Sequence, residues 1–212
     1  IQEHKRNQPA QPFFLYFAPT APHTPWLPSP EFQGRSKAGR YGDFTMMVDA
    51  MIGRLLQALD ETRQADNTLV IFTSDNGPVW YPEDTRRTGH DATGGFRGMK
   101  GSSWEAGHRM PFVVRWPGKT KAGATTAQTI CFTDVLATFA AIVERPLPDD
   151  AGPDSFSFLP VLLGKQNERE PVRPNLVVNQ SLRSGPWKWI EGRERLEWAK
   201  PESGTYPATG EP

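Results

Sequence analysis

Residues 68–77 read T-L-V-I-F-T-S-D-N-G, a β-branched and aromatic run that stops at an acid, an amide and a glycine. A short apolar run bounded by turn residues predicts a strand, and Asp75-Asn76-Gly77 predicts its end. Upstream, Tyr41 to Glu61 sets Tyr41, Phe44, Met47, Val48, Met51, Ile52, Leu55, Leu56 and Leu59 at three- and four-residue steps, the apolar face of a helix. Earlier still, P-F-F-L-Y-F-A at 12–18 is continuously apolar and predicts a strand buried on both faces. It runs into P-T-A-P-H-T-P-W-L-P-S-P at 19–30, whose prolines fix an extended loop. Strand, loop, helix and strand make a β-α-β unit, which predicts parallel pairing with a right-handed crossover. In such sheets ligand groups gather beyond the carboxyl ends of the strands, where His23 and Asp75-Asn76 both fall.

Downstream, F-V-V-R-W at 112–116 predicts another strand, closed by Pro117-Gly118. Between the two strands, G-M-K-G-S-S-W-E-A-G-H-R-M-P at 98–111 carries Lys100, Glu105, His108 and Arg109, too many charges for a simple connector. Thr133 or Asp134 is placed to cap a helix from Val135 to Val143. Leu147 to Pro153 reads as a linker, and Phe156 to Leu163 as a hydrophobic plug. Leu176–Val178 and Trp187–Ile190 suggest a hairpin across Arg183-Ser184-Gly185-Pro186. The expected division is an α/β domain over residues 1–165 and a small C-terminal subdomain and tail over 166–212.

The 212 residues suffice for one core, and 37% apolar with 23% charged residues describe a globular chain. The 24 basic and 24 acidic residues cancel, so bulk charge points to neither nucleic acid nor an acidic membrane surface. No stretch has the apolar length of a membrane span. The single cysteine, Cys131, excludes an intrachain disulfide framework and sits among apolar neighbours as a small hydrophobe. The 21 prolines and 19 glycines imply long, shaped loops. The chain begins at Ile1 without Met, and residues 1–11 read as the tail of a helix entering a linker, so an internal start is expected.

Asp75 and Asn76 offer a carboxylate and an amide oxygen, hard donors that suit Ca²⁺ or Mg²⁺. The same triplet is also good turn chemistry, and such an ion takes about six or more ligands, so the pair makes no site alone. Lys100, framed by Gly98 and Gly101, is either a solvated loop lysine or a point charge where backbone can approach an anion. Glu105 and Arg109, four apart, read as an ion pair bracing the loop. His90-Asp91 is a candidate rim pair, and Trp26, Trp80, Tyr81 and His90 are candidates to line a sugar or aryl pocket. Together, a hard metal, a lysine and a rigid histidine describe an anion site for ester hydrolysis. The cations would clamp the non-bridging oxygens, and His23 would protonate the departing oxygen.

Five blocks, in order, resemble the later part of the formylglycine-dependent (type I) sulfatases of the arylsulfatase kind. They are P-F-F-L-Y-F-A-P-T-A-P-H-T-P-W at 12–26, Y-x-x-F-T-M-M-V-D-A-M-I-G-R-L-L at 41–56, T-S-D-N-G-P at 73–78, G-M-K-G-S-S-W-E-A-G-H-R-M-P-F at 98–112 and S-L-R-S-G-P-W-K-W-I at 181–190. The resemblance implies an alkaline-phosphatase-like α/β/α sandwich, here partial, with a small antiparallel C-terminal β element. It implies Asp75 and Asn76 as Ca²⁺ ligands (Mg²⁺ being the other hard cation), His23 and Lys100 as sulfate-binding and catalytic groups, and His90 as a substrate contact. Arg109 matches a structural position of the family's E-G-G-x-R segment, in which Ala106 replaces the second Gly.

The family's nucleophile is a formylglycine made from the first residue of C/S-x-P-x-R, a motif this sequence lacks. Cys131 is followed by F-T-D-V, and Ser184-Gly185-Pro186-Trp187-Lys188 imitates the spacing but ends in Lys. The family's N-terminal Asp-Asp pair and a Lys-x-His element are also absent from the sequence. The expectation is therefore the C-terminal part of a sulfuric ester hydrolase for aryl or carbohydrate sulfates, inactive alone and holding Ca²⁺ poorly. Its nucleophile would come from a preceding part. The alternatives are a phosphomonoester or phosphonate hydrolase of the alkaline phosphatase superfamily, and a non-catalytic remnant binding anions or sulfated glycans. The implied partner is a sulfated small molecule or glycan, and the family implies a periplasmic or extracellular address.

Overall fold

The computed structural model describes residues 1–191. The expected tail beyond residue 191 lies outside the described residues. The chain opens with α1 (Gln2–Asn7), and α2 (Gly39–Glu61) is its longest helix. Two short strands follow at a distance, β1 (Val70–Thr73) and β2 (Phe112–Arg115), with α3 (Pro82–Thr88) and α4 (Glu105–His108) between them. Then come α5 (Asp134–Ile142), α6 (Leu159–Leu162), β3 (Leu176–Val178), β4 (Ser181–Ser184) and β5 (Trp187–Ile190).

The expected parallel β-α-β unit is not what forms. Residues 12–18 belong to no strand, and Phe14 and Tyr16 are 76% and 81% exposed. A strand buried on both faces needs neighbours on both edges and cover on both sides; among the described residues the segment pairs with no strand, and its ring contacts are those of Phe13 with His4 and Phe14 with Phe139. β1 pairs instead with β2, antiparallel, in the register Val70↔Arg115 to Thr73↔Phe112. That pairing has a functional consequence. The last residue of β1 sits opposite the first of β2, so residues 74–111 form one excursion closed at its base.

The proline-rich loop docks on the start of α2. Ala21 and Trp26 are buried with Phe44 and Trp80 in one core, against which Tyr41, Met47, Val48 and Ala92 pack. Asp43 of α2 is buried, and its carboxylate accepts from the Gly34 amide at 2.8 Å and the Ser36 amide at 2.7 Å. Asp49, on the same helix, is exposed. The half-buried Cys131 donates its amide to the Asp134 carboxylate at 2.7 Å.

The predicted plug does seat itself: Phe158 is buried and meets Phe112 of β2 edge-on, centroids 5.7 Å apart. Around it, Asp134 accepts from the Phe156 amide at 2.8 Å and pairs with Arg173 at 3.0 Å, both side chains essentially inaccessible. The Thr138 hydroxyl accepts from the Phe158 amide at 3.0 Å. The C-terminal element is a three-stranded antiparallel meander, β3-β4-β5, rather than the expected two-stranded hairpin. The strand overlooked is β4, whose S-L-R-S has one apolar residue and so carries little strand signal.

Candidate active site

The excursion between β1 and β2 folds onto itself through backbone hydrogen bonds. The Gly77 amide donates to the Gly107 carbonyl at 3.0 Å, and the Lys100 amide donates to the Pro78 carbonyl at 2.8 Å. The Ala106 amide reaches back to the Arg97 carbonyl at 3.0 Å. Gly77 is required here by proximity: a Cβ would lie 1.7 Å from the Ala106 carbonyl oxygen. Gly98 and Gly101, with φ of 87° and 85°, supply the left-handed turns on either side of Lys100. The Lys100 backbone is thus bonded two residues beyond Asn76.

Within the tip of β1, the Asn76 amide nitrogen donates to Asp75 Oδ1 at 2.9 Å, and the Ser74 hydroxyl donates to the Asn76 carbonyl at 3.0 Å. The first bond leaves the Asn76 amide oxygen and Asp75 Oδ2 as available acceptors. Both are hard oxygen donors, so the pair fits a Ca²⁺- or Mg²⁺-type ion in chemistry but supplies only part of a shell. Among the described residues no group of three or more His, Cys, Asp or Glu stands ready to hold a metal. Lys100 is half-buried as a residue, and its ammonium enters no ion pair or hydrogen bond among the described residues.

His23 lies between the cis bonds Ala21-Pro22 and Thr24-Pro25 and is exposed. Its Nδ1 is 2.7 Å from the Thr24 carbonyl oxygen. A carbonyl only accepts, so Nδ1 carries the proton and Nε2 is left for a ligand. The flanking Ala21 and Trp26 bind this loop to the core that also contains Trp80, four residues past Asn76. His90 joins the same cluster. Its ring lies 6.2 Å from Tyr41 and 5.6 Å, edge-on, from Trp80, while the Trp80 indole donates to the His90 carbonyl at 3.2 Å. Beside it, hydrogen bonds from the Thr93 hydroxyl and amide hold the Asp91 carboxyl below its ordinary range.

Trp26 and Trp80 are thus buried scaffold and do not line a pocket; their rings are spent on Tyr41, 5.5 and 4.8 Å away. Tyr81 caps α3, in a reciprocal capping box with Asp84. Of the aromatic and histidine candidates for a rim, His90 is the exposed one.

Below Lys100, Glu105 does more than the expected pairing with Arg109, which is present at 3.3 Å. Its Oε1 also receives Arg183 of β4 at 2.5 Å and Lys188 of β5 at 3.0 Å. Lys188 Nζ is in turn 2.5 Å from His108 Nε2. An ammonium only donates, so this contact holds His108 neutral. Burial pushes the His108 pKa down, and the Lys188 charge adds to it. Burial alone would raise the Glu105 carboxyl, but hydrogen bonds from Lys188 and Arg183, with their charges, outweigh it and hold it low. Sequence reasoning missed Arg183 and Lys188, although a signal existed. They are direct partners across the β4–β5 turn, and like charges opposite one another on a hairpin are destabilising unless an anion sits against them. The mimic motif at 184–188 falls in this turn, its lysine committed to Glu105.

Comparison with known proteins places the chain in a family. The family model described as Sulfatase matches residues 1–144. An N-acetylgalactosamine-6-O-sulfatase of Bacteroides thetaiotaomicron is 42% identical over 204 residues, covering 92% of this chain and 40% of that protein. A solved structure from work on glycosaminoglycan metabolism by Bacteroides thetaiotaomicron superposes with a TM-score of 0.79 at 38% identity, over 90% of this chain and 41% of the other. Ps i-CgsB, solved in complex with k-i-k-neocarrahexaose, gives a TM-score of 0.67 at 27% identity, over 85% of this chain and 41% of the other. The chain thus spans about two-fifths of the length of the relatives it matches. Sulfatases in general use a metal ion and a formylglycine, and their fold is alkaline-phosphatase-like; the helices and small antiparallel sheets of this chain are a partial version of that α/β fold. On the family match, the ordered sequence blocks and the superposition together, this chain belongs to the sulfatase family.

Proposed function

We propose that this chain contributes the metal-and-sulfate half of a site that hydrolyses carbohydrate sulfate esters. In this reading Asp75 and Asn76 hold a Ca²⁺ or Mg²⁺ ion, which supplies positive charge at the non-bridging sulfate oxygens. Lys100 pairs with the same oxygens as a point charge. His23, its Nδ1 committed to the Thr24 carbonyl, presents Nε2 and, when protonated, gives that proton to the departing ester oxygen. His90 contacts the sugar. The nucleophile, a formylglycine, belongs to sequence outside these 212 residues, and the chain alone does not turn over substrate. The division proposed is residues 1–165 as the catalytic part and 166–212 as a C-terminal subdomain.

The observation that supports the reading is the double backbone clamp, Gly77 to Gly107 and Lys100 to Pro78, which brings the Lys100 backbone to within two residues of the Asp75-Asn76 pair. A carbohydrate substrate is supported by the name of the Bacteroides relative, an N-acetylgalactosamine-6-O-sulfatase. The test is Lys100→Ala in the full-length protein, assayed on matched sulfate and phosphate esters. Sulfatase turnover should fall by about two to three orders of magnitude, the range for losing a charge stabiliser. Near-normal turnover removes Lys100 from the site, and a preference for the phosphate ester moves the protein to phosphoryl chemistry.

A further inference from the structure

The C-terminal meander reaches the Lys100 loop at three points, all supplied by residues far away in sequence. The Gln180 amide donates to the Ser103 hydroxyl at 3.3 Å, Arg183 and Lys188 grip Glu105, and Lys188 also meets His108. These anchors lie within eight residues of Lys100. Between them and Lys100 the chain is stiff: Ser102 and Ser103 are buried, and the Ser102 hydroxyl accepts from the Met99 amide at 3.3 Å. The Gly107 carbonyl that receives Gly77 is adjacent to His108. A force applied at Glu105 and His108 therefore passes to Lys100 on one side and to the Asp75-Asn76 tip on the other.

The charges make the grip specific. Three cations surround one carboxylate, and Lys188 is only 12% exposed. Arg183 and Lys188 cannot separate, because they are paired across a two-residue turn. Glu105 sits against both and offsets their mutual repulsion, so the meander and the loop each help to define the position of the other. Arg109, largely exposed, adds little.

We propose that Arg183 and Lys188 are positioning residues for Lys100: acting through Glu105, the C-terminal meander sets the placement of the sulfate-binding lysine. The proposal rests on the sulfatase reading for what Lys100 does, but not for where Lys100 is held. The test is a double-mutant cycle in the full-length protein with Lys188→Met, which keeps most of the apolar stem, and Arg183→Gln as a second variant should the first fail to fold. With Lys100 present, each should lower kcat about tenfold; in the Lys100→Ala background each should cost less than about twofold. Equal losses in both backgrounds overturn the proposal, since they describe a general structural defect. Independently of activity, exchange of the Lys100 amide, which donates to Pro78, should quicken about tenfold in folded Lys188→Met. Unchanged exchange also overturns it. Should Lys100→Ala itself be harmless, the sulfatase role of Lys100 fails, while the exchange measurement still decides the positioning claim.

Discussion

Alanine at position 77 would test how firmly the two halves of the excursion are docked. Its methyl carbon would lie 1.7 Å from the Ala106 carbonyl oxygen and 2.8 Å from the carbonyl carbon, where real Cβ contacts essentially never fall below 3.0 Å. Both offending atoms are backbone, so no rotamer relieves them, and residues 75–78 must withdraw by more than an ångström. That displacement breaks Gly77 to Gly107 and strains Lys100 to Pro78. A buried amide left without its partner costs about 1–3 kcal/mol, and a strained neighbouring bond about 1 more. The expected loss is therefore about 3 kcal/mol. In urea unfolding, with a slope of about 2 kcal/mol/M, the midpoint should fall by about 1.5 M with the slope unchanged. Gly53→Ala is the control: nothing lies within 4 Å of its Cβ, and it should be neutral or slightly stabilising. A Gly77→Ala midpoint within about 0.3 M of the parent would show that the docking is soft and refute the clamp as the organiser of the site.

Two further outcomes concern charge. Arg173→Met strands the fully buried Asp134 carboxylate and should cost about 3–5 kcal/mol by urea unfolding; a loss under about 1 kcal/mol would mean that the Cys131 and Phe156 amides suffice for Asp134. The pH dependence should show two limbs. The folded-state pKa of His108 lies below the ordinary 6.5, so the unfolded chain binds more protons and stability drops as pH falls below that value. Glu105 likewise lies below its ordinary 4.5, and its contribution, present above that value, is lost as pH falls through the folded-state pKa. His108→Gln should remove the upper limb alone; an unchanged profile would exclude His108 as its source.

What the sequence disclosed follows the range of the interactions. α2 and α5 were legible because a helix declares its buried face every third or fourth residue, and β1 because its apolar run ends at Asp75-Asn76-Gly77. The backbone approach of the Lys100 loop to residues 77–78 was legible because glycines mark where backbones come close. Residues 12–18 misled because an apolar run reports what a segment needs to bury and not whether the cover is at hand. The pairing of β1 with β2 depended on the path of a long excursion, which local pattern does not encode. The burial of Trp26 and Trp80 escaped for a similar reason: a tryptophan in a proline-rich loop reads as a ligand platform until its packing partner, Tyr41, is known. The grip on Glu105 joins residues some eighty positions apart and was visible only as two unexplained like charges facing each other across a turn.

The largely exposed apolar run at residues 13–17 bears on how this polypeptide would behave in solution. It is uncharged and rich in aromatic side chains, it belongs to no strand, and Phe14, Leu15, Tyr16 and Phe17 are exposed. Those are the ingredients of strand-to-strand self-association. With a net charge of zero over the chain offering little repulsion between copies, covering this run should favour solubility. Lysine at Leu15, in the middle of the run, would act as a gatekeeper against stacking while leaving the distant Lys100 loop untouched.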